Sequence, residues 1–275
     1  MSLIRLGSVA LATVLFWGTP LQGQLSPAAV RYSFDTAMSL DGIKVEANMV
    51  VDDRSAGASI VPLGSLPPNV NLTAYHLLSN GAQLLSFDSA IQLPGLSLVE
   101  SRDIVRFDGT NYSLQFSGAG NGVPPGVRID AVTVAQDGNL VLSFNSAVDL
   151  AGIVADRRDL LLFRNGSWSL FFAGALAGVA SDLDLDAADL LSNGHLLLSF
   201  DGSGSVGGVA FDDEDVLEYA PESNTWRMFW DGSTRQASFV VANLDAFCVI
   251  PGQQSGMFSD GFESGDLLRW SAHWP

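Results

Sequence analysis

Apolar and polar positions along this chain fall into short β-rich runs, and the runs come in groups of four. From Asn69 the sequence reads NLTAYHLLSNG, LLSFDSAIQLPG, RDIVRFDG and YSLQFSG, four stretches punctuated by turn residues that predict consecutive antiparallel strands. The same order returns from Val127 and again from Leu183, so the pattern is an internal repeat. Ala74, Ala131 and Ala187 mark its first strand, and Asp103, Asp159 and Asp215 open its third. The first turn is Asn80-Gly81, Asp137-Gly138 or Asn193-Gly194. Such dipeptides supply the positive φ angles of a type I′ turn, which makes the first two strands hairpin neighbours. Asp108 to Asn111, Asn165-Gly166 and Pro221 to Thr225 join the third and fourth strands in the same way.

A fourth copy is divided between the two ends. Arg31 to Asp53 carries second and third strands with no first strand before them, Ser33-Phe34-Asp35 matching Ser86-Phe87-Asp88, and a weaker run from Ala58 to Leu63 supplies the fourth. Asn243-Leu244-Asp245-Ala246-Phe247 matches Arg128-Ile129-Asp130-Ala131-Val132 and is a first strand with no second strand after it. Complementary ends are the signature of a closed ring, whereas an open solenoid needs terminal caps. The expected fold is all-β: a four-bladed β-propeller of four-stranded antiparallel blades, closed by sharing one blade between the N- and C-terminal strands. Packed β-sandwiches are the alternative. The blades span about 30–68 plus 242–252, 69–126, 127–182 and 183–241. Leu140 to Phe144 and Leu196 to Phe200 are nearly continuous apolar runs, as sheets covered on both faces require. Tyr112, Trp168 and Trp226 recur in the fourth strand and are read as packing between blades.

The flanks read differently. Arg5 followed by the apolar run Leu6 to Trp17 and a small-residue exit at Gly23 makes residues 1–23 a signal peptide, with a loose leader over 24–29 and a tail over 253–275. No later window has the apolar length of a membrane-spanning helix; Trp168 to Ala180 comes nearest and is broken by glycines. The 275 residues include 47% apolar and 16% charged side chains, enough for a substantial core. Acidic residues outnumber Lys plus Arg by 30 to 13, a net charge of -17, and losing residues 1–23 removes one Arg and no acid, leaving 30 against 12, or -18. That balance excludes nucleic acid as a partner, because phosphates need a basic footprint. Cys248 is the only cysteine, so no intrachain disulfide forms.

The repeat, with its DxDAL-type first strand, LLSFD-type second strand, DIVRF-type third strand and WSLFFDG-type fourth strand, resembles one found in secreted bacterial proteins of unassigned function. The resemblance covers about Val30 to Gly252. Phe258 to Ser271, FSDGFESGDLLRWS, resembles the GFESG-type tails of exported bacterial proteins. Both resemblances imply export, to the extracellular space or cell surface with the periplasm as the other destination, and neither carries an activity.

Two sets of carboxylates recur with the repeat. Asp130, Asp186 and Asp245 lie in first strands, with Thr73 as the fourth equivalent; Asp103, Asp159 and Asp215 open third strands, with Asn48 as the fourth. First strands that line the axis would gather the former set into a ring of oxygens, which hard cations such as Ca²⁺ favour. The alternative is that each Asp accepts a backbone hydrogen bond in a blade turn, repeated because the blade is repeated. Between second and third strands the repeats diverge, and Arg102, Arg157, Arg158, Asp212, Asp213 and Glu214 stand on loops that a ring presents on one face, the usual make-up of a binding surface. Catalytic patterns are thin. His76 and His195 lie in or beside strands and His273 in the tail; Ser33, Ser86, Ser143 and Ser199 recur without a histidine at any repeated spacing; Cys248 sits in an apolar strand as a buried thiol. The leading reading is an exported, non-enzymatic binding or surface-display protein for an extracellular protein or glycan, with Ca²⁺ as its candidate cofactor. The alternative is a propeller hydrolase acting on carbohydrate, ester or lactone through channel-mouth carboxylates and a divalent metal.

Overall fold

The structure is a computed structural model and describes residues 29–250. The signal peptide, most of the leader and the tail lie outside the described residues. No described helix is long and apolar enough to cross a membrane.

Among the described residues four antiparallel sheets have four strands each, and four smaller sheets have two. Blade I comprises Leu244–Val249, Ala29–Phe34, Val51–Arg54 and Gly57–Ile60 in spatial order. Blade II comprises Leu72–Leu77, Gln83–Phe87, Ile104–Phe107 and Tyr112–Phe116. Blade III comprises Ile129–Val134, Leu140–Phe144, Leu160–Arg164 and Ser167–Phe172, and blade IV comprises Leu185–Leu190, Leu196–Phe200, Val216–Ala220 and Thr225–Trp230. Blade I is the split one: Val30 pairs with Val249, Arg31 with Cys248 and Tyr32 with Phe247, so backbone bonds join the two ends of the described chain.

The first strands are innermost. Each packs on the first strand of the next blade, from blade I through II, III and IV and back to I, and the strands of opposite blades also touch across the axis. Every interface holds its own apolar core: Tyr75, Leu85 and Phe107 with Val50 and Ala246 between blades I and II, Leu84 and Ile104 with Val132 and Leu142 between II and III, Leu160 and Phe172 with Ala188 and Leu198 between III and IV, and Tyr32, Phe34 and Phe247 with Leu197 and Val216 between IV and I. Four cores, each shared by two neighbouring sheets, define a closed four-bladed propeller and leave no place for separate sandwiches.

Two features go beyond the sequence reading. The second and third strands of each blade are joined through a small two-stranded ribbon rather than a plain loop: Met38–Leu40 with Ile43–Val45, Ile91–Gln92 with Leu98–Val99, Val148–Leu150 with Ile153–Ala155, and Gly204–Val206 with Val209–Phe211. The fourth-strand aromatics also do more than pack. The Tyr112 hydroxyl donates to the carbonyl of Leu63, Trp168 Nε1 to that of Asn121 at 3.0 Å and Trp226 Nε1 to that of Ala177 at 2.9 Å, so each clamps the connector arriving from the preceding blade.

Blade I has Ala58 at the matching position, opposite Asp53. Its connector, from blade IV, is a helical turn, Gly232–Arg235, capped by Asp231 and followed by a 3₁₀ turn over Ala237–Val241. Here the clamp is ionic: Arg235 meets Asp53 at 2.8 Å and Asp41 at 2.6 Å, and the Tyr32 hydroxyl donates to Asp53 at 2.8 Å.

Candidate functional site

Strand polarity fixes what gathers at each end of the axis. First strands start at the end where second strands finish, so the ribbons and the blade-to-blade connectors lie there and the tight hairpins lie at the other. At that same end every first strand carries a β-bulge. Leu72 and Ala74 pair with Phe87 and Ser86 and skip Thr73; Asp130, Asp186 and Asp245 are skipped in the same way in blades III, IV and I. A bulge releases its extra residue from the ladder and re-aims the side chain.

The residue two places earlier is pinned equally regularly. The backbone N–H of Asn71 donates to Asp88 Oδ1 and the N–H of Asp88 to the carbonyl of Asn71. Arg128 with Asn145, Asp184 with Asp201 and Asn243 with Asp35 repeat this exchange. Four reciprocal pins therefore present Asn71, Arg128, Asp184 and Asn243 as a second tier above Thr73, Asp130, Asp186 and Asp245. This tier is not legible as a repeat because its members are of three residue types; the constant signal is the Asp or Asn that follows the Ser-Phe end of each second strand.

The two tiers interlock. Asn71 of blade II donates through Nδ2 to Asp245 Oδ2 of blade I, and Asn243 of blade I donates to Asp186 Oδ2 of blade IV at 2.5 Å. Arg128 Nε donates to Asp130 Oδ1 at 2.5 Å, and Thr73 Oγ1 donates to the carbonyl of Ile129 at 2.8 Å. The acids are deeply buried, Asp130 at 1% exposure and Asp184, Asp186 and Asp245 at 7% each.

Burial dominates their ionisation. It pushes Asp130 up to about 6 against the pull of Arg128. It pushes Asp184 up to about 7, with the charges of Asp130 and Asp201 adding to the rise. Burial and the charge of Asp35 push Asp245 up to about 7 although the Asn71 hydrogen bond opposes them. Asp186 is held well above the usual carboxylate range by burial and by Asp245, Asp130 and Asp184, its Asn243 bond opposing. Burial alone would lower the pKa of Arg128, but the facing carboxylates of Asp130, Asp186 and Asp245 raise it overall. Even so, four side-chain oxygens in the mouth are buried without a hydrogen-bond partner: Asn71 Oδ1, Asp130 Oδ2, Asp184 Oδ1 and Asn243 Oδ1.

Asp103, Asp159 and Asp215 are not brought together. Each lies in its own blade and staples a turn: Asp103 accepts the N–H groups of Glu100 and Gly118, both at 2.9 Å, Asp159 those of Asp156 and Gly174, both at 2.8 Å, and Asp215 those of Asp212 and Gly232 at 2.9 and 3.1 Å. The assignment of Asn48 as their fourth member is corrected. The N–H of Met49 bonds to the carbonyl of Glu46 as that of Asp103 does to Glu100, so Met49 holds the position and Asn48 falls beside Arg102, Arg158 and Glu214.

The loop residues divide by that register. Arg102 and Arg158 turn back to the carbonyls of Val123 and Val179 at 2.5 and 2.6 Å and brace the connectors. Glu214 is buried at their position, and burial pushes it up to about 7. Arg157 and Asp213 lie nearest the mouth, since their carbonyls accept the N–H groups of Leu185 and Leu244 beside the bulges. The side chain of Asp212 is exposed at the rim. The two described histidines lie elsewhere, and His273 is outside the described residues: His76 Nδ1 is 3.5 Å from Asp189 and His195 bonds Glu218 and Glu222, both toward the hairpin end. Ser33, Ser86, Ser143 and Ser199 are fully buried and donate to backbone carbonyls. Cys248 is a buried free thiol whose pKa burial raises.

Among the described residues no three His, Cys, Asp or Glu side chains form a metal-binding group. No protein-family model matches the chain, and no curated protein matches it. Among solved structures it is similar to a protein of unknown function from Bacteroides caccae, with 12% identity, 72% of this chain and 60% of that one covered, and a TM-score of 0.32. It is similar to a virginiamycin B lyase from Staphylococcus aureus, with 10% identity, 76% and 71% covered, and a TM-score of 0.34. It is also similar to an auxiliary nutrient binding protein from Bacteroides ovatus, with 9% identity, 76% and 46% covered, and a TM-score of 0.33. The chain thus spans 60% of the first of these and under half of the third. At such scores none of them assigns an activity to this chain.

Proposed function

We propose that this protein is an exported, non-enzymatic binding propeller that engages a positively charged group of its ligand at the acidic axial mouth. The export reading rests on the character of residues 1–23 and of the GFESG-type tail. The binding reading rests chiefly on one observation: each blade leaves one buried, unpartnered oxygen in the mouth. A buried acceptor without a donor costs about 1–3 kcal/mol, and a ligand that supplies donors or charge recovers that cost. Arg157, Asp213 and Asp212 and the four ribbons would form the surrounding contact surface.

A calcium ion is a second candidate occupant, favoured by the oxygen-only acceptors. The hydrolase alternative draws on the same raised carboxyls, since perturbed acids in a mouth can serve as general acids. Nuclear magnetic resonance titration separates these. Cationic probes should shift the amides of Leu185–Ala187 and Leu244–Ala246, and neutral sugars should leave them unmoved. Shifts confined to the hairpin end would contradict the reading, and turnover of a sugar, ester or lactone abolished by Asp130→Asn with Asp186→Asn would favour the hydrolase.

A further inference from the structure

The donors and acceptors of the mouth bear on which kind of cation it would hold, an inference that rests on the binding reading above. A calcium ion draws its oxygens to about 2.3–2.6 Å and tolerates no hydrogen directed at it. The mouth instead interleaves donors with acceptors. Asn71 and Asn243 both spend Nδ2 on a carboxylate of the neighbouring blade, which turns each Oδ1 away from that bond. Arg128 binds one oxygen of Asp130 and leaves the other bare. Asp184 has its backbone N–H tied to Asp201 while its Oδ1 has no donor.

The outcome is one bare acceptor from each blade: Asn243 from I, Asn71 from II, Asp130 from III and Asp184 from IV. Asp130 and Asp184 are themselves at 1% and 7% exposure, so their bare oxygens are built into the fold and are not part of a solvated face. Bare acceptors separated by donors suit a ligand that brings hydrogens of its own. A primary ammonium carries three N–H donors and no acceptor on a compact charge, whereas a guanidinium is a wide planar fork. The two tiers hold four aspartates, Asp130, Asp184, Asp186 and Asp245, and Arg128 is their only basic side chain, so a bound cation would favour the ionised form of acids that burial otherwise holds protonated. We propose that the mouth binds a primary ammonium group on a slender stem, carried by the lysine side chain of a peptide or by a free alkylamine.

The test titrates the full chain with pentylamine, with Nα-acetyl-lysine methylamide, with tetramethylammonium and with calcium chloride, following the amides of Leu185–Ala187 and Leu244–Ala246. Pentylamine and the blocked lysine should bind, and tetramethylammonium, which has equal charge and no N–H, should bind at least about tenfold more weakly. Asp184→Asn keeps the side chain's shape and should weaken pentylamine by about tenfold. A blocked lysine binding tighter than pentylamine identifies a peptide as the source, and equal binding identifies a free amine. Tetramethylammonium binding as well as pentylamine overturns the proposal. Calcium shifting these amides where the amines do not also overturns it, while the cation-binding mouth stands. Silence of these amides toward every cation overturns both.

Discussion

Asp184 shows how far a single side chain's environment departs from its type. Burial and two acidic neighbours push it up to about 7, and Asp130 and Asp245 follow at about 6 and about 7. An unfolded aspartate titrates near ~3.9, so between roughly pH 4 and 7 the folded chain holds protons that the unfolded chain has lost. The mouth's contribution to stability is therefore full below the unfolded value and lost as pH rises through 6 and 7. Each group that releases a full proton on unfolding changes stability by ~1.4 kcal/mol per pH unit. Urea unfolding should show a higher midpoint at pH 5 than at pH 8, and Asp184→Asn should flatten the difference. An Asp184→Asn slope equal to that of the native chain would show that the buried acids do not titrate as described. Asp130, Asp186 and Asp245 could be read as a ring from the repeat alone, because their residue type is shared. The bulges that aim them, and the mixed tier of Asn71, Arg128, Asp184 and Asn243, depend on pairing that sequence periodicity does not register.

At the scale of the strand, the fourth-strand aromatics join blades in two ways. Trp168 packs on Phe116 and Phe144 of blades II and III and also donates to Asn121 in the incoming connector. Trp168→Phe should cost about 1 kcal/mol, the net worth of one hydrogen bond, and Trp168→Ala about 3–5 kcal/mol, both read from chemical denaturation. Equal losses for the two would mean that the indole N–H carries the whole clamp. The strands and hairpins were legible because Asn80-Gly81, Asp137-Gly138 and Asn193-Gly194 mark them, but the expected type I′ turn is corrected there: only the glycines take positive φ, at 84°, 83° and 88°, whereas Asn165-Gly166, at 52° and 79°, has it at both residues. The ribbons were not, since two- and three-residue strands such as Ile91–Gln92 are too short to show alternation. The ionic clamp of Arg235 on Asp53 and Asp41 was also hidden, because it replaces an aromatic by groups distant in sequence.

Over the whole molecule, closure makes the mouth. Each tier draws one residue from every blade, and two of the three side-chain bonds that link the first tier to the second cross interfaces made by blade I, Asn71 to Asp245 and Asn243 to Asp186. Blade I exists only because Leu244–Val249 pairs with Ala29–Phe34. The unmatched half-repeats near the two ends made this closure legible in the sequence, although Ala58, standing where the other blades carry Tyr112, Trp168 and Trp226, concealed how the last joint is held. The most direct test is the thermal melt of a chain ending at Val241 beside that of the full chain. Loss of Leu244–Val249 strips the innermost strand from blade I and the shared cores of Cys248 and Phe247 on both its sides. The truncated chain should lose the cooperative transition or melt far below the full chain, and addition of a peptide spanning residues 242–250 should restore it; a truncated chain that melts as the full chain does would contradict the closed ring.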